Sequence, residues 1–267
     1  MKTLKDKVAA ITGAGSGIGR ATAILMASKG CHLALSDVNE KGLAETVEQC
    51  RTHGVKVTSK RVDVASREQM YAWADDVVRE HGVALGATVE DMQYDDFEWL
   101  MGINFWGVVY GTKAFLPHIK TAGEGAIVNV SSVFGLIAVP TQSAYNAAKF
   151  AVKGFTEALR EEMEIAGLNI GVTCVHPGGI KTNIARNARV TETKGLVDEK
   201  STRDFEKAFI TTPEKAAAAV VGAIMKNSRR LLIGPDAVAI DMMQRILPTS
   251  YQRLLEMGAK RRSKKLG

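Results

Sequence analysis

Short apolar runs alternate along this chain with longer stretches of helical period, a pattern that predicts strands and helices in strict turn. Val8 to Thr12 reads as a buried strand, and a glycine loop then opens a helix from about Gly17 to Lys29, which Gly30 terminates. His32 to Ser36 is the next strand, followed by a helix to about His53 that Gly54 stops. Lys56 to Val62 is a third strand with Asp63 at its end. Ser66 then caps a helix through Glu80, with Glu68 and Gln69 in its first turn. Further on, Asp95 to Lys120 reads as one long helix, Gly125 to Ser131 as a strand and Ser143 to Ala166 as a helix. Ile170 to Val175 is another strand, and Leu231 to Ile233 closes the sheet. Such alternation predicts an α/β fold, a doubly wound parallel sheet with helices on both faces and a ligand site at the carboxyl ends of its strands.

The pattern shows no repeat and no low-complexity linker, so 1–247 is expected to be one domain, with 183–212 as a substrate lid inside it. Residues 248–267 form a basic tail. Its Pro248–Leu255 stretch reads as a helix with an apolar stripe, able to cover a neighbouring subunit or make peripheral contact with a membrane surface.

At 267 residues the chain can bury a substantial core without disulfides or metals, and its 46% hydrophobic and 24% charged residues describe a globular protein. Cys31, Cys50 and Cys174 form no CxxC pair and have no His at ligand spacing, so no metal is expected and a reducing compartment fits. The net charge of +6 is concentrated: from Gln252 to Gly267 there are six basic residues and one acidic. A nearly neutral body without a basic face argues against nucleic acid. The N-terminus holds no apolar stretch of signal length. The longest apolar block, Ala216 to Met225, has ten residues, well short of the ~20 a bilayer span needs, and a cytoplasmic location is expected.

The candidate chemistry begins in the loop Thr12-Gly13-Ala14-Gly15-Ser16-Gly17-Ile18-Gly19, between a strand and a helix. There Gly13 permits a tight turn, Gly17 lets backbone approach a pyrophosphate and Gly19 allows close helix packing, while the helix N-terminus supplies N–H groups and positive potential. This context turns a weak motif into a dinucleotide site. Asp37, 24 residues after Gly13, ends the second strand, where a carboxylate accepts the ribose hydroxyls of NAD and repels the 2′-phosphate of NADP. A helix cap or turn residue is the plainer reading of Asp37. Neither Ser16 nor Val38 offers that phosphate a cation, so NAD is preferred over NADP.

Tyr145 and Lys149 open a helix at i and i+4 and so share a face. A neighbouring ammonium favours the phenolate and is expected to bring the tyrosine's pKa down toward the working range of a proton relay. An isolated pair of this kind is common on exposed helices. Ser132, thirteen residues before Tyr145 at the end of the strand Ala126–Val130, changes the balance, because strand end and helix start should meet over the cofactor. Its hydroxyl could donate to a substrate oxygen as charge develops there. Ser131 remains an alternative, and either serine could merely cap the strand.

With these motifs in order, TGxxxGxG at Thr12–Gly19, then Ser132, then YxxxK at Tyr145 and Lys149, the chain resembles the short-chain dehydrogenase/reductase family over nearly its whole length. The resemblance implies a Rossmann-type fold and several further roles. Asn104 corresponds to the helix asparagine that completes a catalytic tetrad by holding a water on the Lys149 side. Asp63 and Val64 correspond to an adenine-contacting pair. Pro177-Gly178-Gly179-Ile180-Lys181-Thr182 corresponds to the loop in which the Ile180 backbone and the Thr182 hydroxyl grip the carboxamide. It also implies a homodimer or homotetramer through the two helices that carry Asn104 and Tyr145, with Trp99, Trp106, Phe150 and Phe155 suited to an interface or to core packing.

One departure is sharp. The family carries a buried strand ending in Asn-Asn-Ala-Gly after the third crossover helix, but here Glu80-His81-Gly82 runs directly into Val83-Ala84-Leu85-Gly86-Ala87-Thr88-Val89-Glu90. About ten residues, a strand and its turn, are missing. Either Val83–Val89 substitutes for the strand, which at about 3.3 Å per residue just spans the sheet, or the segment has been omitted. Omission is favoured, and Gly82 and Val83 are expected not to be bonded neighbours.

The expected function is an NAD-dependent oxidoreductase (EC 1.1.1.-) interconverting a secondary alcohol and a ketone, with Tyr145 as general acid/base. A non-catalytic NAD-binding scaffold or sensor is the alternative that the missing segment raises. The mixed charges of the lid name no substrate.

Overall fold

The computed structural model describes residues 3–74, 85–86, 89, 92–181, 189–190 and 210–263. Its strands are β1 (Val8–Thr12), β2 (His32–Asp37), β3 (Val57–Arg61), β4 (Leu85–Gly86), β5 (Gly125–Val130), β6 (Ile170–Pro177), β7 (Arg189–Val190) and β8 (Arg230–Ile233). Its helices are α1 (Gly17–Ser28), α2 (Glu40–Arg51), α3 (Arg67–Ala74), α4 (Tyr94–Met101), α5 (Gly107–Thr121), α6 (Ser143–Ile165), α7 (Pro213–Met225), α8 (Pro235–Ile246) and α9 (Tyr251–Ser263). All described pairings are parallel, as expected for strands joined through helices.

The apolar stripes of α1, α2 and α7 cover one face, where Ala23, Met26, Leu43, Val47, Val220 and Ile224 pack with Leu33, Leu35 and Val175 of the sheet. On the other face, Leu159 and Met163 of α6 close over Ile127 and Val172. Local chemistry starts the helices. Asn39 accepts from the Gly42 N–H ahead of α2, and Thr212 accepts from Lys215 N–H ahead of α7, with Pro213 at its first position. Ser66 accepts from Gln69 N–H, and the Gln69 side chain accepts from Asp63 N–H, so the predicted cap forms and also ties down the end of β3. The helix expected through Glu80 is described as far as Ala74.

Three expectations need correction. The helix expected over Asp95–Lys120 is interrupted by a π turn at Gly102–Trp106, with α4 before it and α5 after. One extra residue per turn leaves the apolar pattern nearly intact, so periodicity alone does not reveal it. The basic tail, read as a covering helix, docks on the body of its own chain: Tyr251 is 5% exposed, and its hydroxyl accepts from the Ala138 N–H at 3.2 Å. At the end of the expected lid, Thr211 pairs with Ile180 and Thr212 belongs to the cap of α7; 183–188 and 191–209 lie outside the described residues.

Among the described residues the sheet is divided. Its pairings form two halves, β3-β2-β1 and β5-β6-β8, and among the described residues β1 and β5 each keep one edge without a strand partner. Lys7, just before β1, and Glu124, just before β5, form an ion pair, and side chains of both strands pack on the same apolar cluster, so the two edges lie near each other. Val8 is 68% exposed and Val130 is 38% exposed, although the centre of a doubly wound sheet is normally covered. Leu85–Gly86 pairs with Arg189–Val190 rather than with β1 or β5, so its described residues do not act as a substitute strand. Gly82 and Val83 lie outside the described residues.

The three cysteines are buried and free, and burial pushes Cys31 and Cys50 up to about 11 and Cys174 up to about 12, which makes them inert packing groups. Among the described residues no helix is long and apolar enough to cross a membrane.

Two outcomes follow from this architecture. Inserting a β-prone segment of about ten residues between Gly82 and Val83 raises the thermal midpoint by about 5 °C or more, whereas a Gly/Ser segment of equal length does not; equal midpoints contradict the unpaired-edge account. Tyr251→Phe costs about 0.5–1.5 kcal/mol, read in denaturant as a lower midpoint with unchanged slope.

Candidate active site

The carboxyl ends of β1, β2, β5 and β6 gather the predicted chemistry. After β1, Gly13 turns the chain with φ 62°, and a Cβ on Gly19 would fall on the Gly13 carbonyl, so the loop and α1 touch backbone to backbone. Ser16 is the N-cap residue of α1 but makes no side-chain cap bond. The first-turn N–H groups therefore have no capping side chain, the arrangement an anion requires. With Gly15, Gly17 and Ile18 completing the turn, the loop fits a dinucleotide's phosphates.

Asp37, at the end of β2, is 5% exposed. Its Oδ2 accepts from Gly15 N–H and its Oδ1 from Asn39 N–H, both at 2.8 Å. Two backbone bonds orient a carboxylate without exhausting its roughly four acceptor positions. The turn reading and the ribose reading are thus compatible in one side chain. Gly15 has no room for more, since a Cβ there would sit 2.5 Å from Asp37 Oδ2.

Sequence reasoning missed the residues that hold this loop from behind. Arg20 donates to the Gly15 carbonyl at 2.6 Å and to the Gly42 carbonyl at 3.0 Å, and the Thr46 hydroxyl donates to the Ala14 carbonyl at 2.6 Å. These bonds lock the turn onto α2. No local pattern announces them, although Arg20 directly follows the glycine motif.

On the catalytic side, Ser132 and Tyr145 meet. The Ser132 hydroxyl is near enough to lower the Tyr145 phenol's pKa, and Ser132 Oγ accepts from Phe134 N–H at 3.1 Å. The Ser131 hydroxyl instead donates to the Lys149 carbonyl at 2.7 Å and so ties strand to helix. Lys149 is 5% exposed, and its Nζ donates to the Val130 carbonyl at 3.1 Å. That Nζ lies 5.6 Å from the centroid of the Tyr145 ring.

The expected effect on Tyr145 is reversed. Burial pushes its phenol above the ordinary range, and the Ser132 hydrogen bond offsets only part of that rise. Phe134 stands edge-on to the Tyr145 ring at 6.0 Å.

Asn104 sits on the π turn, 1% exposed, and the turn packs against α6, the helix of Tyr145 and Lys149. Asp63 is exposed, and its Oδ1 accepts from Ala65 N–H at 2.9 Å; Val64 is buried. In the loop after β6, Gly178 N–H donates to the Ile233 carbonyl at 2.9 Å, and Ile180 is buried beyond Pro177. Asp236, another residue the sequence did not single out, accepts from Gly179 N–H at 2.6 Å and holds this loop to the start of α8. Thr182 lies outside the described residues.

The comparisons agree with this geometry. The family described as short chain dehydrogenase matches residues 7–193. SadH of Mycobacterium tuberculosis is 49% identical over 270 aligned positions, which take in 97% of each chain. That alignment is longer than the share of this chain it contains, so SadH has residues without a counterpart here, on the order of ten, about what a strand and its turn require. A short chain dehydrogenase/reductase from Burkholderia phymatum, solved in complex with NAD, is 32% identical with a TM-score of 0.83, covering 92% of this chain and 95% of that one. A short-chain dehydrogenase from Streptomyces avermitilis is 27% identical with a TM-score of 0.81, covering 96% and 97%. On the matched profile, the shared fold and the long alignment with SadH together, this chain belongs to the short chain dehydrogenase family.

Proposed function

We propose that this oxidoreductase interconverts a secondary alcohol and a ketone with NAD as its cofactor and Tyr145 as general acid/base. The observation that carries the reading is the convergence of Ser132, Tyr145 and Lys149: a half-buried phenol whose pKa the Ser132 hydroxyl lowers in part, with an ammonium 5.6 Å from the ring centroid. The relative solved with NAD supports the cofactor's chemical class. NAD, when bound, takes up or gives back the hydride of the substrate carbon.

In oxidation, the alcohol's hydroxyl proton passes to Tyr145, and Lys149 carries it onward to solvent; reduction reverses the path. Ser132 donates a hydrogen bond to the same substrate oxygen and stabilises the charge that grows there. Asn104 completes the set from the π turn beside α6. Asp37 selects NAD over NADP by repelling a 2′-phosphate, while Asp63, Val64, Pro177, Gly178, Ile180 and Thr182 line the rest of the cofactor. Trp106, 47% exposed and stacked on Tyr110, and Phe150, 43% exposed, offer an apolar surface for a homodimer or homotetramer.

The edges that β1 and β5 keep without a strand partner among the described residues favour one second reading, a scaffold that binds NAD without turnover. Tyr145→Phe separates the two: followed by NADH absorbance against a panel of ketones, it lowers the reduction rate by about a hundredfold or more, and an unchanged rate rejects the enzymatic reading. NADH binding without consumption of any ketone supports the scaffold. Fluorescence titration is expected to show NADH bound at least about tenfold more tightly than NADPH, with Asp37→Ser narrowing the gap; equal affinities in the unaltered protein contradict the role of Asp37.

A further inference from the structure

The β5–β6 ladder ends one residue before the catalytic serine. Val130 pairs with Val175, and the last backbone bond runs from Ser131 N–H to the Val175 carbonyl at 2.8 Å. Ser132 therefore lies beyond the ladder. Across from it, His176 on β6 is fully buried, and its Nδ1 lies 2.9 Å from the Ser132 carbonyl oxygen. A carbonyl only accepts, so Nδ1 carries the hydrogen and Nε2 of the neutral ring is the bare acceptor.

That assignment agrees with the surroundings. His176 Nε2 is buried with no hydrogen-bond partner among the described residues, so a second ring hydrogen would have no acceptor. Burial holds the imidazole below its ordinary range; Arg230 on β8 and Lys153 on α6 push the same way, and Glu157 on α6 opposes them. The same Ser132 carbonyl accepts from Gly135 N–H at 3.0 Å. Its peptide is thus held both by the following turn and by a side chain from the neighbouring strand.

We propose that His176 is a positioning residue for the Ser132 hydroxyl: its Nδ1–H extends the β5–β6 pairing by one residue and fixes the peptide whose side chain meets Tyr145. The proposal rests on the oxidoreductase reading for its catalytic consequence, while the tautomer can be measured without turnover. In the full chain, nitrogen-resolved NMR of the imidazoles, with His176 assigned from its loss in His176→Asn, shows an Nδ1–H tautomer that does not titrate between about pH 5 and about pH 8. An Nε2–H tautomer, or titration near the ordinary imidazole value, overturns the proposal. With a ketone the chain reduces, His176→Leu lowers kcat about tenfold with the KM for NADH unchanged, and His176→Asn, which keeps a donor near the Nδ1 position, recovers most of it. A merely structural histidine would lower the melting temperature of both variants without that split, and equal kcat values in the two overturn the proposal. The NMR measurement on the unaltered chain decides the matter if the leucine variant fails to fold.

Discussion

The site depends on an interlock between the end of β5 and the first turns of α6. Lys149 reaches out of the helix to the Val130 carbonyl, and Ser131 reaches out of the strand to the Lys149 carbonyl, so each element satisfies a polar group of the other. Neither bond is optional, because a buried ammonium or hydroxyl without a partner costs far more than such a bond contributes. Strand end and helix start are thereby joined twice, and Ser132 and Tyr145, which flank the junction, are brought near each other by backbone placement.

A second lock forms the dinucleotide side. Asp37 grips the glycine loop through Gly15, and Arg20 and Thr46 hold its carbonyls against α2. The two locks stand on opposite halves of the sheet, β1-β2-β3 and β5-β6-β8. Among the described residues, the Lys7–Glu124 ion pair and the apolar cluster under α1 and α7 join the halves. Apolar packing is non-directional, so the relative placement of glycine loop and catalytic junction is less firmly set than either is internally.

The glycine loop, Asp37, Tyr145 and Lys149 were legible in the sequence because each role depends on near neighbours: a turn, a strand end, a helical repeat. Ser132 was legible as one of two adjacent serines, and only the Ser131 bond to Lys149 separates them. The π turn at Asn104 was hidden because an inserted residue barely disturbs the apolar pattern. Arg20, Thr46, His176, Asp236 and Tyr251 act across long stretches of chain, and nothing in their local spacing distinguishes them from ordinary polar residues. For Tyr145, spacing showed the neighbouring lysine but not how deeply the phenol is buried, and burial sets the direction of its pKa. The departure after Gly82, by contrast, was visible as a break in an otherwise regular alternation, and among the described residues β1 and β5 each keep one edge without a strand partner.

The account's central claim is that Ser132, Tyr145 and Lys149 form one surface against a nicotinamide ring. A crystal structure of the full chain with NADH tests this most directly. The account predicts the pyrophosphate on the first turn of α1, and the ring's reactive face within reach of a substrate oxygen bonded to both Ser132 and Tyr145. A ring bound away from those hydroxyls, with the phosphates still on the glycine loop, would contradict it.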